Sequence, residues 1–408
     1  MSDTSEASPS QKAFTPVKLG DLVLRNRFVK AGAYEGMCPG GMPGDELLRH
    51  HQAIARGGVG MTTVAYCAVS ADGRTFAQQM HMRPEILPPL RRLTEAVHKE
   101  GAAVSLQLGH CGYFSRNREA SRGWPRGPSA TLNLLGFLVG MPIARRMRPA
   151  DIAAVTEDFA RAAAMAREAG FDAVELHLGH GYLLSQFLSP KTNRRRDEYG
   201  GSLENRLRFP LEVVRRVRAS LPAGFPVLCK VNLRDGFRGG LELEESAAIA
   251  KALEREGVSG LVPSGGFVSR SAFYLFRGKI PLRQMIAVEH LYRQKLALLL
   301  FGRMVMRSGP FHELFFREDA LRLRATVKMP VGLLGGVVSG DGVATAMQDG
   351  FDFVVLGRAL VAEPDFVERL RRDPRFRSRC DACNQCVAEM DRPGGVRCVL
   401  DDVHSGQS

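Results

Sequence analysis

Tryptophan is nearly missing from this chain: Trp124 is the single copy, and aromatic residues make up only 7% of the sequence. No group of Trp and Tyr stands out that could box in a cationic ligand through ring faces. Long apolar runs are missing as well. None reaches the roughly 18 uncharged residues that a bilayer-spanning helix needs. The first residues, MSDTSEASPSQKAF, are polar and lack the apolar centre of a signal peptide. They predict a flexible tail over 1–14 and, by default, a cytoplasmic location. Acidic residues are the minority, 43 against 56 Lys and Arg, for a formal charge of +13. Such a surface attracts nucleic acid or anionic lipid, yet no zinc-finger, RNP or helix-turn-helix pattern accompanies it. The charge, including the Arg194-Arg195-Arg196 run, therefore reads as solvated surface plus a site for an anionic ligand, with no nucleic-acid partner expected. No Gly-x-Gly-x-x-Gly signature is present either, so nothing distinguishes NADH from NADPH as a donor.

What the chain does have is a repeated alternation. Eight short apolar runs, beginning near Phe28, Val59, Ala103, Ala173, Val227, Gly260, Val331 and Phe353, are separated by amphipathic helical patterns. Runs that are apolar at nearly every position suit parallel strands buried on both sides. Strand–helix alternation of this kind predicts a (β/α)8 barrel of the TIM type. Helices are expected over Asp151–Glu168, Leu203–Arg218 with Ser202 as N-cap, and Leu243–Glu256. Two segments break the rhythm: a loop over 109–147, and an insertion over 265–328 between the sixth and seventh strands. The insertion holds an apolar stretch from Met285 to Met306, interrupted by charges and read as a helix packed on the barrel; a helix lying on a membrane surface is the other reading. Both segments follow strand C-termini, where barrel enzymes place their active sites.

The fourth run leads straight into His177-Leu178-Gly179-His180-Gly181-Tyr182. At a strand end that curls into a turn, two imidazoles three residues apart converge on one point. They can donate two hydrogen bonds to one oxygen or ligate a metal. An arbitrary pair of this kind is more often two core histidines. Its place at a barrel strand end, with a tyrosine beside it, favours function. Four of the eight cysteines, Cys380, Cys383, Cys386 and Cys398, crowd the last residues, a spacing suited to metal or redox chemistry.

The stretches His177–Pro190 (HLGHGYLLSQFLSP) and Asn193–Arg206 (NRRRDEYGGSLENR) resemble the signature of the old yellow enzyme, or NADH:flavin oxidoreductase, family. The likeness is nearest the branch of 2,4-dienoyl-CoA reductase and trimethylamine dehydrogenase, and extends over about residues 14–371 in barrel order. It implies FMN as cofactor, NADH or NADPH as donor and an unsaturated carbonyl compound as small-molecule substrate. It implies that His177 and His180 hold the substrate oxygen, that hydride passes from FMN N5, and that Tyr182 supplies the proton. Donors set in place before negative charge develops stabilise it. The resemblance also assigns Gln107 to the flavin pyrimidine edge and Lys230 to the flavin N1 and O2 side. Ala31, Gly32 and Tyr34 follow the first strand against the ring, with Tyr34 where the family has a small residue. Gly335 and Gly336, with Gly357 and Arg358, form its phosphate cup. The chain then divides into a tail (1–14), an FMN-binding barrel (15–371) and a Cys-rich module (372–408). In that branch the C-terminal cysteines hold an iron–sulfur cluster of the 4Fe-4S type; zinc and a vestigial tail without metal are the alternatives. Other readings are an oxidative dehydrogenase like trimethylamine dehydrogenase, or an electron-transfer subunit serving a redox protein partner. A homo-oligomer is compatible with each.

Overall fold

Eight strands carry the core because nearly every one of their side chains is buried. In the computed structural model, which describes residues 8–118 and 123–400, they are β1 (Phe28–Lys30), β2 (Met61–Ala68), β3 (Ala103–Gly109), β4 (Ala173–Leu178), β5 (Val227–Asn232), β6 (Gly260–Ser264), β7 (Gly332–Leu334) and β8 (Phe353–Leu356). All pair in parallel, and β8 pairs with β1. The ring closes between β6 and β7 through a Leu261–Val331 bridge, where the Leu261 N–H donates to the Pro330 carbonyl at 2.9 Å. The expected (β/α)8 barrel is the fold.

Eight helices clothe the barrel: α1 (Asp45–Arg56), α2 (Leu87–Lys99), α3 (Pro149–Glu168), α4 (Leu203–Ala219), α5 (Leu243–Arg255), α6 (Arg317–Arg324), α7 (Gly340–Gln348) and α8 (Phe366–Arg372). Helix α3 buries Ile152, Val155, Phe159, Ala162, Ala163 and Ala166, one stripe at helical spacing. Helix α4 starts where expected: the Ser202 hydroxyl accepts the Asn205 N–H at 3.3 Å.

Four expectations change. The tail over 1–14 is structured from residue 8 on: Pro9–Lys12 form a short helix, Ala13 is fully buried and Phe14 packs on Phe28 at 5.2 Å between ring centroids. Residues 1–7 lie outside the described residues. The loop over 109–147 contains a small sheet of Arg126–Gly127, Thr131–Leu132 and Ile143–Arg146. The apolar stretch from Met285 to Met306 in the insertion falls in two helices, Leu282–Val288 and Tyr292–Val305, because the chain breaks at Glu289, whose carboxylate accepts the Leu291 N–H at 2.8 Å. The second of these leaves most of its apolar side chains exposed, so it is not packed on the barrel by its apolar face. Within the arginine run, Arg195 is buried, donating to the carbonyls of Met147 (2.8 Å) and Pro128 (3.0 Å) and pairing with Asp197.

The C-terminal module folds back over the barrel mouth. The Val396 N–H donates to the Glu35 carbonyl at 2.7 Å, just beyond β1. Asn384, in a left-handed conformation (φ 60°), donates to the carbonyls of Arg277 (2.7 Å) and Lys279 (2.9 Å) in the insertion.

Candidate active site

Strand β4 ends in a turn whose backbone explains the convergence of its side chains. His180 adopts φ 56° and Gly181 φ 76°, and the His180 N–H donates to Asn232 Oδ1 at 2.9 Å, fixing the turn to the end of β5. The His177 and His180 rings come to 5.0 Å between centroids, and Tyr182 lies 4.3 Å from His177. Only glycine suits position 181, since a Cβ there would meet the Phe267 ring at 2.3 Å.

Electrostatics keep all three groups neutral. Burial pushes the His177 imidazole well below its ordinary pKa, helped by His180 and the Lys230 cation. The same causes, burial before Lys230, lower His180 to about 3. Burial raises the Tyr182 phenol, with Cys111 adding to it. His177 Nδ1 accepts the Gly179 N–H at 3.3 Å, which leaves the hydrogen on Nε2. Ser264, at the end of β6, sits 2.7 Å from His180 Nε2, so a donating hydroxyl leaves the hydrogen on Nδ1. Two neutral imidazoles, each with an N–H, and a protonated phenol stand together.

A second group lies on the floor. Lys230 Nζ is 3.0 Å from Glu175 and donates to the Gly32 carbonyl at 3.1 Å, while Gln107 Nε2 donates to Glu175 at 2.6 Å. Four strands thus bring Gly32, Gln107, Glu175 and Lys230 to one place. A Cβ on Gly32 would lie 2.7 Å from Gln107 Nε2. Behind this floor, buried Lys30 pairs with Glu35, which is 3.4 Å from His51.

The remaining expected residues divide. The Ala31 N–H donates to the Leu356 carbonyl at 2.7 Å, beside the loop after β8. Tyr34 packs edge-on to Phe76 at 5.2 Å, and burial raises its phenol. Gly335 and Gly336 are backed by Phe316, Phe311 and Phe315. Gly357 has nothing within 4 Å of where a Cβ would stand, an open cradle ahead of the short helix Arg358–Ala362. The Arg358 side chain is directed elsewhere. It donates to Asn384 and, at 2.7 Å, to the Phe276 carbonyl, because the C-terminal module and the insertion supply buried acceptors that it must satisfy.

Burial raises the pKa values of Cys380, Cys383 and Cys386, pushing Cys386 up to about 12; Cys380 adds to the rise at Cys383 and Cys386, and Cys398 to that at Cys380 and Cys386. Metal ligation needs thiolates. Among the described residues no three His, Cys, Asp or Glu side chains are arranged to hold a metal ion.

Several residues escaped the sequence reading. Glu175 and Lys30 carried the signal that marked Lys230, a charge inside an apolar strand run. Asn232 and Ser264 merely end their strands. Tyr66 and Phe114 left no mark, yet they pack edge-on to Tyr182 at 4.9 and 5.2 Å between ring centroids and build an aromatic wall from distant segments.

The site thus joins a closed parallel barrel, hydrogen-bonding side chains at its strand ends and glycine loops after β7 and β8. The sequence profile of the NADH:flavin oxidoreductase / NADH oxidase family matches residues 12–262, more than half of the chain. The chain belongs to that family and is an NAD(P)H:flavin oxidoreductase. It is 39% identical over 401 residues to a 4,4'-dithiodibutanoate disulfide reductase of Rhodococcus erythropolis, covering 97% of this chain and 96% of that protein. It is 30% identical over 391 residues to a metal reductase of Desulforamulus reducens, covering 95% of this chain and about half (53%) of that protein. A 2-naphthoyl-CoA reductase structure superposes with a TM-score of 0.78 at 23% identity, over 95% of this chain and 56% of the other, a likeness of fold.

The family implies FMN and a nicotinamide donor. The residues present fit FMN: the open cradle at Gly357 suits a phosphate approached by backbone N–H groups, and the buried Gln107 amide and Lys230 ammonium suit an isoalloxazine edge.

Proposed function

We propose that this protein reduces an activated C=C bond of a small unsaturated carbonyl compound, with NADH or NADPH as the electron source. The bound flavin supplies the hydride. The chain supplies the rest. His177 and His180 donate their two N–H groups to the carbonyl oxygen, where negative charge grows during reduction. Their neutrality suits this role, since a neutral ring does not surrender its proton to the product. Tyr182 carries a proton that burial prevents it from losing to water, and delivers it to the α-carbon. Gly32, Gln107 and Lys230 hold the flavin ring, and the loops at Gly335, Gly336 and Gly357 hold its phosphate. The observation carrying this reading is the His177–His180–Tyr182 cluster at 5.0 and 4.3 Å.

A second substrate class is favoured by the 39% identity, over almost the whole of both chains, to a disulfide reductase. There an organic disulfide with carboxylate ends would accept two electrons and one proton, giving a thiol and a thiolate. A leaving thiolate, with a pKa of about 8.5 for its acid, needs no proton on carbon.

Tyr182→Phe separates the two. It is expected to slow 2-cyclohexenone reduction about 10²–10⁴-fold, to leave NADH bleaching of the flavin unchanged, and to spare reduction of 4,4'-dithiodibutanoate. Anaerobic stopped-flow measurement of each half-reaction reads this directly. A colourless protein that takes up no added FMN, or a His177→Ala variant as fast as wild type on both acceptors, overturns the proposal.

A further inference from the structure

Helix Tyr292–Val305 of the β6–β7 insertion touches the protein along one narrow strip. Gln294 and Gly302 are its buried residues. Gly302 lies against Leu282, whose Cδ1 would be 2.6 Å from an added Cβ, and Gln294 Oε1 accepts from Arg116 at 3.3 Å. Most of its apolar side chains face water: Leu299 is 60% exposed, Leu300 65%, Phe301 52%, Met304 66% and Val305 66%. Contiguous exposed apolar surface of this kind marks an interaction site.

Charge selects what covers it. Between Arg277 and Arg307 the chain has seven basic residues and one acidic residue, Glu289. Among the described residues no carboxylate pairs with Arg293, Lys295, Arg303 or Arg307. A second copy laid on this face would bring the same cations against one another, on a chain of formal charge +13. An anionic bilayer offers an apolar interior and negative headgroups together, which suits both features. Among the described residues no helix is long and apolar enough to cross a membrane, so this one would lie in the interfacial plane.

We propose that helix Tyr292–Val305 docks the protein on an anionic lipid surface. Its leucines, Phe301, Met304 and Val305 enter the boundary between headgroups and acyl chains. Arg293, Lys295, Arg303 and Arg307 extend their heads to the phosphates. The insertion leaves the barrel directly after Ser264, so docking holds the site's end of the barrel toward the lipid.

The test is co-sedimentation of the full-length, FMN-loaded protein with vesicles of phosphatidylcholine alone or mixed with phosphatidylglycerol. Binding is expected to be at least about tenfold stronger on the anionic vesicles and to weaken with salt. The double variants Leu300→Glu with Met304→Glu, and Arg293→Gln with Lys295→Gln, are each expected to lower it about tenfold or more. All four residues lie outside the proposed site, so flavin absorbance and thermal midpoint report that the variants fold. Absence of binding to anionic vesicles, or binding that Leu300→Glu with Met304→Glu leaves intact, overturns the proposal. So does a dimer in sedimentation velocity that this double variant dissociates, which would assign the face to a second copy.

Discussion

At the scale of single residues, this site is governed by burial. His50, His51, His177 and His180 are all held below their ordinary pKa of 6.5 chiefly by loss of water, His180 to about 3. The unfolded chain therefore binds more protons than the folded one once pH drops below about 6.5. The stability these rings contribute is complete above that pH and is lost as pH falls from 6.5 toward 3. Each ring contributes a slope of up to about 1.4 kcal/mol per pH unit. The thermal midpoint is expected to fall between pH 7 and pH 5, and His51→Gln is expected to flatten that fall; a slope unchanged in the variant would contradict the assignment. Gly32 makes a second test. A Cβ at 2.7 Å from Gln107 Nε2 displaces the amide, so Gly32→Ala is expected to weaken FMN affinity at least about tenfold, the worth of one displaced hydrogen bond, with little change in far-ultraviolet circular dichroism. Fluorescence titration of apoprotein with FMN measures it.

At the scale of elements, the segments between strands hold the site in place. Arg195 ties the loop after β3 to the chain following β4 through the Met147 and Pro128 carbonyls and Asp197. Its neighbours Arg194 and Arg196 share its charge in the sequence, and nothing in the run announces that the middle one turns inward. Arg195→Leu leaves two carbonyls and one carboxylate short of a donor and is expected to cost about 3–5 kcal/mol. Urea unfolding would show it, and a loss under 1 kcal/mol would mean the loop holds itself. The strands were legible because a barrel strand buried on both faces leaves an unbroken apolar run. Helices such as α3 were legible from one buried stripe. The insertion misled because an apolar stretch says only that burial is favourable, not whether protein or something else provides it.

At the scale of the whole molecule, the C-terminal module is a clasp across the barrel mouth. Asn384 binds the Arg277 and Lys279 carbonyls and accepts from Arg358, joining the module, the insertion and the loop after β8. Asn384→Leu strands these groups at about 1–3 kcal/mol each. It is expected to lower the thermal midpoint and to release FMN on dilution, while the His177–His180–Tyr182 cluster stays intact; unchanged FMN retention would show the clasp to be incidental. The sequence alone determined the strand count, the barrel and the His177–Tyr182 turn, since burial period and local turn chemistry are written in neighbouring residues. It could not place the Arg358 side chain, the Tyr66–Phe114 wall or Glu175 between Gln107 and Lys230. Those depend on which distant strands become neighbours, and only closure of the ring brings the polar partners within reach.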